Sequence, residues 1–116
     1  PNLHLAVREV SGPRDAARAV RARGPDRTLW TNSDGSVVTS GTNAVDLLVG
    51  QVAAPVRWDL CMTGFADAGI TGLVELTPAG TLTGLAKRGL RGIPSVALKT
   101  PDDLDAAVDL LSEVNA

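Results

Sequence analysis

The chain has 116 residues, a formal net charge of −2 and 44% hydrophobic residues, a length that suits one small domain or a piece of a larger one. Its near-neutral balance argues against a general nucleic-acid surface, which usually shows as a basic domain, and no stretch approaches the length of a transmembrane span. No apolar leader stands at the N-terminus and Cys61 is the one cysteine, so no intrachain disulfide is expected and the expected setting is cytoplasmic.

Residues 3–10, LHLAVREV, alternate apolar and polar and predict a half-buried strand. Ser11-Gly12-Pro13 reads as a turn. Residues 14–24 then predict a helix with Ala16, Ala19 and Val20 inward and Gly24 at its end. Residues 27–32 and 36–40 predict a hairpin around Asn32-Ser33-Asp34-Gly35, which carries the Asp-Gly turn signal. Residues 43–52 predict a second helix, with Val45, Leu48, Val49 and Val52 on one face. Pro55 stops it and suits the first position of a third helix, 55–69, closed by Gly69. There Val56, Leu60 and Phe65 are expected to face inward, with Trp58 anchoring the helix against a sheet.

Residues 71–77, TGLVELT, read as a continuous apolar strand in a central position. Residues 81–90 predict a helix and 94–100 a strand. The last helix, 100–114, has the plainest signal: Thr100 as N-cap, Pro101 at the first position, and Asp102 and Asp103 where the helix dipole favours negative charge. From Val37 onward strands alternate with helices, which favours parallel α/β packing.

Chemistry-bearing patterns are sparse. The stretch TPAGTLTGLAKR links a strand to a helix through glycine, as phosphate-binding loops do. A P-loop needs GxxxxGK[ST], however, and here Gly80 and Gly84 are too close together and Lys87 falls a turn late; GxGxxG is absent as well. A tight structural turn is the better reading. His4 is the single histidine, no GxSxG elbow occurs, and one His with one Cys makes no ordinary zinc site. Asp102, Asp103 and Asp105 are better explained by capping and solvation of a helix start than as paired catalytic carboxylates, and Cys61, between Leu60 and Met62, as a small buried hydrophobe. Lys87, Arg88 and Arg91 form a basic cluster, which is either a solvated helix end or a docking point for an acidic partner or a phosphate.

QVAAPVRWDLCM followed by GLVELTPAGTLTGLAKR resembles the C-terminal part of the malonyl-CoA:acyl carrier protein transacylase family. In that family a Q-x-x-x-P-V-x-W stretch precedes a strand ending in E-x-G-P-G-x-x-L-x-G-L-x-K-R. RTLWTNSDGSVV is similar to the hairpin before them, so the resemblance runs from about Pro25 to Val114.

This resemblance implies an α/β fold, residues 25–116 being the C-terminal part of an α/β-hydrolase-like acyltransferase domain. Residues 1–24 are similar to a strand and helix of that family's ferredoxin-like insert. It also implies transfer of malonyl from coenzyme A to the phosphopantetheine thiol of an acyl carrier protein through an acyl-serine. No cofactor is implied beyond the coenzyme A thioester substrate, and the partners are malonyl-CoA and the carrier protein, with no nucleic acid or membrane. The serine elbow and the histidine motif are absent from this sequence, so the chain is expected to be inactive by itself and to need the missing N-terminal part of such an enzyme. Gln51 matches the family glutamine whose backbone carbonyl orients the catalytic histidine. Lys87 and Arg88, with Arg91 nearby, match the basic pair implicated in carrier-protein docking, which leaves docking and a solvated helix end evenly balanced. Thr77 and Ala79 replace family glycines. A carrier-protein-binding module without chemistry is the alternative.

Overall fold

The computed structural model of the protein describes residues 12–114. The chain forms two compact units that divide between Cys61 and Met62. The strand expected over 3–10 lies outside the described residues.

In the first unit, helix α1 (Pro13–Arg18) is followed by the antiparallel pair β1 (Leu29–Trp30) and β2 (Val37–Val38), with Leu29 opposite Val38. The hairpin falls where Asp34-Gly35 places it. Thr31 and Ser36 are bonded N–H to carbonyl at 2.9 Å, and Asp34 Oδ1 accepts the Ser36 N–H. Gly35 is required there: its φ is 76°, and a Cβ would lie 2.6 Å from the Leu60 backbone. Helix α2 (Gly41–Gln51) begins earlier than predicted, because Ser40 caps it by accepting the Asn43 N–H at 3.0 Å. Helix α3 (Trp58–Asp67) follows. Val38, Val49 and Cys61 form the buried centre of this unit, Cys61 at 2% exposure. Burial, then the charges of Asp59 and Asp34, push its thiol pKa up, which fits the expected small buried hydrophobe.

Four expectations fail in this unit. The helix predicted over 14–24 stops at Arg18, and Ala16, Ala19 and Val20 are all exposed. Its continuation instead runs backbone-first against the start of α2: a Cβ on Gly41 would meet the Ala22 carbonyl oxygen at 1.9 Å. On α2 the inward line is Gly41, Val45 and Val49, spaced by four; Leu48 is 65% exposed and Val52 is exposed too, so the predicted face was too wide. Pro55 does not open α3. Its carbonyl accepts from Gln51 Nε2, and the Arg57 N–H bonds the Asn32 carbonyl at 2.7 Å, so the segment stays a loop until Trp58. Val56 therefore lies outside the helix at 57% exposure, while Trp58, Leu60 and Phe65 are half-buried.

In the second unit β3 (Leu73–Glu75) and β4 (Ser95–Ala97) pair in parallel, Leu73 beside Ser95 and Glu75 beside Ala97. Helix α4 (Thr81–Gly89) makes the crossover between them. A 3₁₀ turn (Pro101–Asp103) leads into helix α5 (Leu104–Val114). The parallel strand–helix–strand unit agrees with the expected α/β alternation. Ala86, Leu90, Ala107 and Leu110 are its buried apolar residues. Gly72 lets β3 come close to α5, since a Cβ there would sit 3.2 Å from Leu110 Cδ1. The central position expected for β3 is not observed: among the described residues it is paired on one side, by β4.

Candidate functional site

Helix α4 opens on a residue that cannot cap it. Its N-cap is Gly80, at φ 126°, a conformation that strains any side chain. The first-turn N–H groups would then be left without acceptors. Glu75, the last residue of β3, supplies them from five to eight positions upstream. Oε2 accepts from Gly80 N and Thr83 N at 2.9 Å, and Oε1 from Leu82 N at 3.0 Å. Thr83 closes the turn by donating its hydroxyl to the Gly80 carbonyl at 3.2 Å.

The Glu75 side chain sits in a residue only 7% exposed. Burial on its own pushes the carboxyl pKa up; the amides of Gly80, Thr83 and Leu82 outweigh it and hold the carboxyl down at about 2. Glu75 is therefore an ionised, fully engaged acceptor at neutral pH, with no proton to give. The turn itself is pinned to the end of β4 by the Thr77 hydroxyl, which donates to the Leu98 carbonyl. Its amides are spent on Glu75, so it offers no empty cradle for a phosphate.

At the other end of α4, Lys87 and Arg88 occupy the last turn and Arg91 follows just beyond it. All three are exposed, and no acidic group among the described residues pairs with them. The inward side of the helix carries Thr83, Ala86 and Leu90. Gly89 admits Met62, whose sulfur would lie 2.7 Å from a Cβ at that position. The sequence thus places Lys87 and Arg88 on, and Arg91 just beyond, a helix held by a carboxylate at its start and by small buried residues along its side.

Gln51 belongs to the first unit, as the last residue of α2. Its side-chain nitrogen donates to the carbonyls of Ala54 and Pro55 at 3.1 and 3.0 Å. Its Oε1 is buried without a hydrogen-bond partner. Its backbone carbonyl accepts one long bond, from Ala54 N at 3.3 Å, which leaves acceptor capacity on that oxygen. Asp103 accepts the Lys99 and Thr100 N–H groups at 2.9 and 3.0 Å, and those bonds lower its pKa; Asp102 and Asp105 are exposed. Capping accounts for Asp103, and Asp102 and Asp105 are solvated charges at the helix start. Among the described residues no cluster of His, Cys, Asp and Glu could hold a metal ion, and no helix is long and apolar enough to cross a membrane. A cleft lined by Arg18, Arg21, Thr42 and Asp46 has only exposed charges and no convergent buried polar group. His4 lies outside the described residues.

No protein-family model matches the chain. Over 95 residues it is 48% identical to the malonyl CoA-acyl carrier protein transacylase of Mycobacterium tuberculosis (strain ATCC 25618 / H37Rv), a match covering 82% of this chain and 32% of that protein. The corresponding protein of Mycolicibacterium smegmatis is 44% identical over 108 residues, which is 90% of this chain and 37% of that protein. A crystal structure of MCAT from Mycobacterium tuberculosis superposes with a TM-score of 0.73 at 49% identity, covering 78% of this chain and 30% of that one. The chain is a homologue of the C-terminal segment of malonyl-CoA:acyl carrier protein transacylases. It spans about a third of the length of the curated relatives it matches.

Seen as a transacylase segment, the turn after β3 departs from the motif at Thr77 and Ala79, and Thr77 gains a tie to β4 that glycine could not make. The reading of residues 71–77 as a plain apolar strand missed Glu75. Its signal was present: one carboxylate inside an apolar run, just before a glycine turn and a helix start with no Ser, Thr, Asp or Asn at the cap position.

Proposed function

We propose that the chain is part of a malonyl-CoA:acyl carrier protein transacylase with an α/β-hydrolase-like domain, and that its share of the work is docking the carrier protein and supporting the catalytic base. In this reaction a serine hydroxyl attacks the malonyl thioester, coenzyme A leaves as its thiol, and the phosphopantetheine thiol then takes the acyl group from the serine. This sequence has no serine elbow and His4 is its single histidine, so the nucleophile and base come from a segment outside it.

The observation that carries the docking role is the exposed, unpaired trio Lys87, Arg88 and Arg91 at the end of an anchored helix. An acidic carrier protein would be steered there by charge, and salt would weaken the encounter because the Debye length is only about 10 Å at 0.1 M. Gln51 is suited to the second role: its carbonyl keeps a lone pair for the N–H of a catalytic imidazole, which would fix the ring's tautomer.

The test is titration of a holo acyl carrier protein against wild type and Lys87→Glu/Arg88→Glu at low and high salt, with circular dichroism as the folding control. Weaker, less salt-dependent binding by the folded double variant supports docking. Equal binding by both proteins, or binding indifferent to salt, returns the trio to a solvated helix end. A second reading, a carrier-protein-binding module without chemistry, rests on the same exposed cations. A stoichiometric malonyl adduct on the chain alone, sought by mass spectrometry after incubation with malonyl-CoA, would overturn both readings.

A further inference from the structure

We propose that Glu75 is a positioning residue for the docking face: by tying the first turn of α4 to the end of β3, it sets where Lys87 and Arg88 are presented. This rests on the docking reading above and adds to it a residue that touches no partner.

The fully buried residues of α4 are Thr83 and Ala86, both small; Leu82 and Leu85 are half-buried, and Leu90 is buried at its C-cap. Apolar contacts of this kind hold a helix against its neighbours but are not directional, so they resist sliding along the helix axis weakly. Hydrogen bonds are directional. Glu75 makes three of them, 2.9 to 3.0 Å long, from both carboxylate oxygens to Gly80, Leu82 and Thr83. No local group can substitute, because Gly80 has no side chain and its φ of 126° disfavours one.

Helix α4 has nine residues, so its far end lies about 13 Å from this anchor at 1.5 Å per residue. A tilt of about 10° at the anchor would move the cations by about 2 Å over that lever. That displacement is large against the geometry of a charge-assisted hydrogen bond. The carboxylate and the cations also complement the helix dipole at opposite ends, Glu75 at the N-terminus and Lys87 and Arg88 in the last turn.

The experiment compares the full chain as wild type, Lys87→Glu/Arg88→Glu, Glu75→Gln, and Glu75→Gln/Thr81→Asp. Thr81 is exposed at the first helical position. An aspartate there restores helix stability through the dipole without tying the helix to β3. Melting temperature and holo-carrier-protein affinity at two salt concentrations are measured for each.

Glu75→Gln is expected to lower both the melting temperature and the low-salt affinity, the latter on the order of tenfold, and to flatten the salt dependence. The Thr81→Asp addition is expected to raise the melting temperature again and leave the affinity low. If affinity returns together with stability, or never falls, Glu75 is a stabilising cap only and the proposal fails. If the charge-reversed variant binds like wild type, the docking reading itself fails. Should Glu75→Gln not fold, the double variant carries the comparison alone.

Discussion

At the end of β4 the chain enters its next helix through Thr100-Pro101-Asp102-Asp103, and Asp103 reaches back four residues or fewer to the N–H groups of Lys99 and Thr100. At the end of β3 it enters α4 through Thr77-Pro78-Ala79-Gly80, and the acceptor comes from inside the strand, where Glu75 reaches forward to three N–H groups. Both junctions use one carboxylate to satisfy backbone donors at a helix start. They differ in where that carboxylate stands. Asp103 stands at the edge of solvent in a local capping box, so water can replace part of what it does. Glu75 is buried, as is Thr83, one of its three donors, so the Thr83 amide is poorly placed to find water if the carboxylate is lost. A buried cap supplied from a distance should therefore matter more than an exposed cap supplied locally, even though the chemistry is the same.

The largest effect expected is that of Glu75→Gln. One glutamine oxygen replaces two carboxylate oxygens, and the new NH₂ faces a backbone donor. The variant should melt well below wild type, with fast amide exchange at Leu82 and Thr83 by NMR. A melting curve that overlays the wild type would mean the three bonds are not what holds α4. Acid tests the same point. The folded carboxyl is held at about 2, below its ordinary value of 4.5. The unfolded chain binds that proton more readily, so the stabilisation is fully present above about pH 4.5 and is lost as pH falls toward 2. The gap in stability between wild type and Glu75→Gln should shrink across that window, and a constant gap would contradict the assignment.

The second effect concerns why the cap is distant at all. Gly80→Ala places a Cβ 3.4 Å from Lys99 Cε, an ordinary contact, so the cost is backbone strain at φ 126°, about 1–3 kcal/mol. Gly84→Ala is its counterpart: it lies within α4 with open space around it and should gain about 0.5–1 kcal/mol. Denaturant melts of the two variants should move in opposite directions. If both stabilise, the turn after β3 does not require glycine.

The same pair of junctions shows how far the sequence could be read. Thr100, Pro101 and the aspartates lie next to the helix they start, and their order alone placed the last helix. The hairpin at Asp34-Gly35 was legible for the same reason. Glu75 was not, because its role depends on a turn folding back over the strand, and a strand read by hydropathy hides one acid among Leu73, Val74 and Leu76. The faces of the first two helices went astray for a related reason. Ala16, Ala19, Val20, Leu48 and Val52 fit a helical period, but period alone does not say which apolar residues find a neighbour. Gly41, which does face inward, carries no hydropathy signal; its place is set by the close approach of the Ala22 backbone. The basic group at the end of α4 is legible from adjacency in the sequence alone: Lys87 and Arg88 are neighbours in the last turn, and Arg91 follows just beyond the helix.

Asp103→Ala should have a third, smaller effect. Alanine removes Oδ2, the one oxygen that accepts both the Lys99 and the Thr100 N–H, and water at this exposed edge replaces part of what is lost. A fall in melting temperature smaller than that of Glu75→Gln is expected, measured in the same buffer. Equal losses would erase the distinction between buried and exposed caps.

Asp102→Asn should have the smallest effect, and it separates charge from hydrogen bonding at this junction. Asp102 is exposed in the first turn, and no hydrogen bond ties it to the backbone in the way that two tie Asp103. Its contribution is the attraction between its charge and the helix dipole, about 0.3–1 kcal/mol at low ionic strength. That attraction is screened by salt, since the Debye length falls to about 3 Å at 1 M. The loss caused by Asp102→Asn should therefore disappear in 1 M salt, while most of the loss caused by Asp103→Ala persists, because a hydrogen bond to a fixed N–H does not depend on a long-range field. Urea melts of both variants at low and high salt would show it. If the two losses vanish together, Asp103 works through its field rather than its bonds, and the parallel with Glu75 holds only in geometry.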